Sequence, residues 1–220
     1  MKHAQLVAPE FAGRRRLLQH IAAGAACGMC GVLQQALAAD VSTGQQGIRR
    51  MRGTVLVNGE QARVGMIVPP GATVVVGGDS EAAYTIAEDA FLQRAGSQIQ
   101  INAAATVFRV ITGALLSVFR PGTPKTVRMP VATAGIRGTG CYVEVGVART
   151  YFCLCYGAVD LTPDGGRTRS YSTQHHDSPS WIDSVGGVES TGMLSHEDTE
   201  LAALEGLVGR KVPFPVPYTR

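Results

Sequence analysis

Charge is scarce in this sequence. Lys, Arg, Asp and Glu together make up 17% of the 220 residues, and the formal excess is only +3. All of that excess sits at one end, where Lys2, Arg14, Arg15 and Arg16 face a single acid, Glu10, within the first 38 residues. Twenty basic residues less those four, and seventeen acidic less that one, leave sixteen of each sign in the rest. A balanced body has no field to hold a phosphate backbone, so nucleic acid is not an expected partner. Catalytic signatures are also missing: there is no serine elbow, no phosphate loop and no HExxH spacing. A cysteine nucleophile with His175 as its base can be drawn, but nothing accompanies it, and Asp164, Asp177 and Asp183 form no evident carboxylate pair. The expectation is a protein that is not an enzyme. What the chain does have is glycine, 27 against 11 prolines, which suits short strands joined by turns and excludes a long coiled coil.

The first forty residues read as an address. Gly13-Arg14-Arg15-Arg16-Leu17-Leu18-Gln19 sets a paired arginine before an uncharged stretch from Leu17 to Ala39, and Ala36 and Ala38 are small residues where a signal peptidase inspects the chain. This layout resembles a twin-arginine export signal, with residues 1–38 removed and 39–52 left as a linker. Gln19, His20, Gln34 and Gln35 dilute its apolar part, which is weak for a membrane span of about 20 apolar residues. The expected location is the periplasm, with no membrane span after cleavage; an uncleaved N-terminal anchor in the inner membrane is the alternative. Cys27 and Cys30 would leave with the signal, so Cys141, Cys153 and Cys155 remain. An odd number in an oxidising compartment leaves at least one thiol free, intermolecular or bound to something.

From Gly53 onward apolar alternation is broken by turn residues. Thr54 to Val57 ends at Asn58-Gly59, a hairpin signal because both residues accept positive φ. Val64 to Val68 is expected to return beside it, followed by runs at Thr73 to Val76, Ala82 to Ile86, Ala90 to Gln93, Ile99 to Ile101, Val107 to Ile111 and Leu115 to Phe119. Such spacing indicates an all-β domain, either a sandwich or a short solenoid. Cys141 to Val145 and Tyr151 to Tyr156 form a hairpin. If Val145 pairs with Thr150, Val143 faces Phe152 and Cys141 faces Leu154, which puts Cys153 and Cys155 on the other face with Tyr142 and Tyr151. A turn longer by one residue would instead bring Cys141 opposite Cys155. Residues 162–194 read as a polar loop region. Residues 195–220 read as a C-terminal helix, with Ser195 as N-cap, Leu201, Leu204, Leu207 and Val208 at helical spacing and Gly209 as its stop, followed by a Pro-rich extended tail.

Gly53 to Gly59, Val74 to Ser80, Ala134 to Val143 and the closing Gly157-Ala158-Val159 resemble the FecR domain over residues 53–161. The most specific piece is Ile136-Arg137-Gly138-Thr139. The resemblance implies an all-β periplasmic domain of the kind that relays a signal from an outer-membrane receptor to a sigma factor. With about a dozen residues ahead of Arg14, what is expected to carry over is the domain rather than that circuit. The implied role is a binding, sensing or scaffold module for an envelope protein, a peptide or a glycan. Read by itself, Arg137 serves buried backbone carbonyls where the chain enters a strand, or else a ligand, while Gly135 and Gly138 permit close approach or unusual φ.

The alternative function is metal binding. Alternation puts Cys153 and Cys155 on one face of a strand, about 7 Å apart at the backbone, and His175 and His176 follow in a polar segment. Two thiolates and two imidazoles suit zinc, copper or iron, whereas the plain reading is two small buried hydrophobes and a solvated histidine pair. His196 is assigned to the helix start. The export reading predicts that replacing Arg14 and Arg15 by Lys strands the precursor in the cytoplasm, as fractionation would show; unchanged export would contradict it.

Overall fold

The computed structural model describes residues 44–176 and 179–216; Arg14, Arg15, Ala36 and Ala38 lie outside them. The protein is all-β with one C-terminal helix. Among the described residues, fourteen strands join in one hydrogen-bonded sheet: β1 (Gly47–Arg52), β2 (Val55–Val57), β3 (Glu60–Gln61), β4 (Thr73–Val76), β5 (Glu81–Ile86), β6 (Asp89–Gln93), β7 (Gln98–Ile101), β8 (Val107–Val118), β9 (Lys125–Arg128), β10 (Ala132–Val145), β11 (Arg149–Pro163), β12 (Arg169–Thr173), β13 (Ser180–Asp183) and β14 (Val188–Ser190). Helix α1 spans Asp198–Leu207. No described helix is long and apolar enough to cross a membrane.

The three long strands decide the architecture. The first half of β8 pairs with β7 and, in parallel, with β9; its second half pairs with β6 and β10. β10 pairs with β9 over Thr133–Ile136 and with β8 over Gly140–Val145. β11 pairs with β13 at its start and β12 towards its end. Each long strand therefore runs from one layer, β3-β2-β4-β7-β8-β9-β10-β11-β12, into another, β1-β5-β6-β8-β10-β11-β13-β14. The apolar inner sides make one core that includes Val74, Phe91, Phe108, Leu115, Ile136, Val143, Phe152 and Leu154.

A strand can turn such a corner only where the backbone leaves extended geometry, and each has a left-handed glycine there: Gly113 (φ 68°), Gly138 (φ 65°) and Gly157 (φ 96°). A Cβ on Gly113 would come 2.6 Å from Ser97 Cα, and one on Gly138 2.6 Å from Pro121 Cα. One on Gly157 would strike the Gly138 carbonyl oxygen. Gly is needed for both its conformation and its missing side chain.

The Ile136-Arg137-Gly138-Thr139 segment is the β10 corner. Ile136 is 1% exposed in the core. The Thr139 hydroxyl donates to the Ala158 carbonyl at 2.9 Å and accepts from the Ala158 N–H at 3.1 Å, fastening β10 to β11 where their register shifts. Arg137 differs from expectation: it is 71% exposed and bonds the Asp160 carboxylate at 2.6 Å instead of serving buried carbonyls. The corner turns its side chain outward.

The Asn58-Gly59 hairpin is a tight turn with both residues at positive φ, and Leu56 and Val57 pair with Gln61 and Glu60. The return strand is those two polar residues rather than Val64 to Val68, and Val64 is 62% exposed. Val107 to Ile111 and Leu115 to Phe119 form one strand bent at Gly113. The stretch read as a linker already holds β1, paired with β5, and residues 162–194 contain β12, β13 and β14, held by pairing rather than by apolar content. The helix begins after Glu197, not Ser195, whose φ of 59° makes it a turn residue. Replacing Gly157 by Ala is predicted to cost about 2–5 kcal/mol, the sum of left-handed strain and overpacking; denaturant unfolding checks this, and a loss below about 1 kcal/mol would contradict the corner role.

Candidate functional site

The β10–β11 hairpin has the register that puts Val145 opposite Thr150, Val143 opposite Phe152 and Cys141 opposite Leu154. Inner and outer faces then follow from alternation. Phe152 and Leu154 enter the core, while Tyr151, Cys153 and Cys155 turn outward beside Tyr142. That outward face is not open. Helix α1 packs against β6 and β8, burying Leu201, Leu204 and Leu207, which contribute roughly 1.5–3 kcal/mol each. Arg94, next to β6, fastens the helix by bonding Glu200 at 2.8 Å and Glu81 at 3.1 Å, and also donates to the Ser195 carbonyl at 3.1 Å.

Two histidines meet the thiols under this cover. His176 Nδ1 lies 3.4 Å from Cys153 Sγ, and His196 Nε2 lies 3.4 Å from Cys155 Sγ. The two ring nitrogens are 3.3 Å apart, and the four ligand atoms lie within 4.8 Å of one another. Both cysteines are fully buried and His196 is 4% exposed. Each ring is oriented by an acceptor on its far side: His176 Nε2 donates to Asp198 Oδ1 at 2.9 Å and His196 Nδ1 to the Leu194 carbonyl at 2.6 Å. His196 also stacks on Tyr142, with ring centroids 4.6 Å apart. The Tyr151 hydroxyl holds the approach to it, accepting from Leu194 N–H at 3.1 Å and donating to the Gly192 carbonyl at 3.3 Å.

The sequence pairing of Cys153 and Cys155 with His175 and His176 is thus corrected at one position. His175 is 48% exposed and its Nε2 is bound to Asp198 at 2.9 Å, with its ring against Phe214. His196 takes its place, brought in by the left-handed turn at Ser195. The electrostatics follow the geometry. Hydrogen bonding from the Cys155 thiol, ahead of the contacts with His176 and His196, holds Cys153 far below the usual thiol range, while burial pushes Cys155 up. Burial opposes the imidazolium of His176, but hydrogen bonds to Cys153 and Asp198 outweigh it and raise its pKa. Cys141, on the opposite face, is a separate free thiol.

Beside this cluster a groove of about 350 Å³ runs between the β10 corner and the chain after α1, lined by Phe119, Pro121, Gly138, Tyr156, Arg210 and Lys211 among others. Glu205 is buried, bonded by the Tyr156 hydroxyl and by Arg210 Nε at 2.5 Å. Arg210 Nη2 is buried with no hydrogen-bond partner.

No family model matches the chain, and no curated protein matches it. Among solved structures, it is similar to two crystal structures, at 2.50 and 1.65 Å resolution, of a proposed anti-sigma factor from Parabacteroides distasonis. Each overlays with a TM-score of 0.48 and 15% identity over 61% of this chain, which spans 64% and 65% of those chains.

Burial raises the Cys141 thiol to about 12, against a smaller lowering by its hydrogen bond to Ser117. A thiol protonated in the fold but ionisable when unfolded stabilises fully below the unfolded pKa of about 8.5 and loses that contribution as pH rises towards 12. Stability should therefore fall with alkaline pH less steeply in Cys141→Ala than in the parent, as denaturation at pH 8 and pH 10 would show. Equal slopes would contradict the buried, protonated thiol.

Proposed function

We propose that the chain is an exported, non-catalytic module of FecR-like type that acts in the periplasm by binding a peptide segment of an envelope protein, as a sensor or scaffold. The observation that carries this reading is the groove at the β10 corner. Its wall combines apolar surface from Phe119 and Pro121 with the cations Arg210 and Lys211. Lys211 is exposed at this wall, where its ammonium can meet a peptide carbonyl or carboxylate. Tyr156 and Glu205 already satisfy each other. Apolar walls with few polar anchors suit a ligand held by shape and one or two directed bonds.

Export supports the same reading, because the arginine pair and the Ala36-Leu37-Ala38 site resemble a signal that delivers a folded domain to the envelope. A photo-crosslinking residue at Lys211, at the groove mouth, should trap a discrete envelope protein in intact cells, while the same probe at exposed Val64 should not. No product from Lys211, or identical products from both positions, would overturn the assignment of the groove.

A further inference from the structure

The Cys153, Cys155, His176 and His196 cluster directs four potential ligand atoms at one point. His176 Nε2 and His196 Nδ1 face a carboxylate and a carbonyl, which only accept, so each carries its proton there. That turns His176 Nδ1 and His196 Nε2 inward, 3.3 Å apart and each 3.4 Å from a sulfur. A cation at that point would meet two nitrogens and two sulfurs at once.

The distances fit a tetrahedral ion of the size of zinc. Tetrahedral zinc, with Zn–N of about 2.05 Å and Zn–S of about 2.3 Å, requires N···N edges of about 3.3–3.4 Å and N···S edges of about 3.6 Å. The measured 3.3 Å and 3.4 Å agree with these within about 0.2 Å. Two thiolates also neutralise a divalent ion, as a buried site requires. Asp198 behind His176 and the Leu194 carbonyl behind His196 supply the outer hydrogen bonds that orient metal-bound imidazoles.

We propose that Cys153, Cys155, His176 and His196 hold one zinc(II) ion in a closed tetrahedral site. All four positions belong to the protein, leaving none for a substrate water, so the ion is structural or regulatory rather than hydrolytic. Binding forms two Zn–S and two Zn–N bonds and releases the remaining thiol protons to solvent. The ion ties β11 to the turn after β12 and to the turn before α1, three segments otherwise joined by weaker contacts. This inference is independent of the peptide-binding reading.

The test uses the full chain, purified with its thiols reduced and supplied with zinc alone. Elemental analysis should find one zinc per chain, and cobalt substitution should give the intense visible bands of a tetrahedral thiolate site. His175→Ala should retain the ion, His196→Ala should lose it, and Asp198→Asn should weaken zinc about 10- to 100-fold in competition with a chelator. Should the variants fail to fold, the stoichiometry and cobalt spectrum of the parent chain remain decisive. Absence of stoichiometric zinc, copper or iron in its place, or loss of zinc from His175→Ala but not His196→Ala would overturn the proposal.

Discussion

The structure depends on three strands being allowed to bend. A strand that stayed straight through Gly113, Gly138 or Gly157 would remain in one layer, and the two layers would lose their shared members. The glycines are mutually constrained, since the space a Cβ would need at Gly157 is already filled by Gly138 and Thr139. One corner thus fixes the next. The core forms inside the bend, and the outward face of β11 is presented to the C-terminal segment.

That outward face is where chemistry accumulates. A strand covered on one side alone would leave Cys153 and Cys155 in water; here α1 and the turns beside it bury both. Arg94 links the sheet to the helix through Glu200 and to the histidine turn through the Ser195 carbonyl. Cover and donor set are therefore assembled by the same contacts. The groove shares this construction, because the chain after α1 forms its far wall.

Much of this was legible in the residues. Alternation across Cys141 to Tyr156 made the hairpin legible and left its register to the length of one turn; the observed turn is the one that sends Phe152 and Leu154 inward and the thiols of Cys153 and Cys155 outward. Asn58-Gly59 and the spacing of Leu201, Leu204 and Leu207 were equally direct. Other features were hidden for physical reasons. β12 and β14 are short and polar, and exist because β11 and β13 offer edges to pair with. Gly113 looked like a break between two strands, yet a bend and a break have the same local signature. His196 is 41 residues from Cys155 in sequence, and its approach depends on Ser195 adopting a left-handed turn that a serine rarely signals. Two adjacent histidines at 175 and 176 looked like a ligand pair; both turn Nε2 to Asp198, but only His176 presents its other nitrogen to a sulfur.

The bent sheet and its helical cover bring two sulfurs and two imidazoles to a common point. X-ray absorption at the zinc edge of the loaded full-length chain tests that most directly. A closed site requires two sulfur scatterers at about 2.3 Å and two imidazole nitrogens at about 2.0–2.1 Å. A first shell of nitrogen and oxygen without sulfur would contradict it.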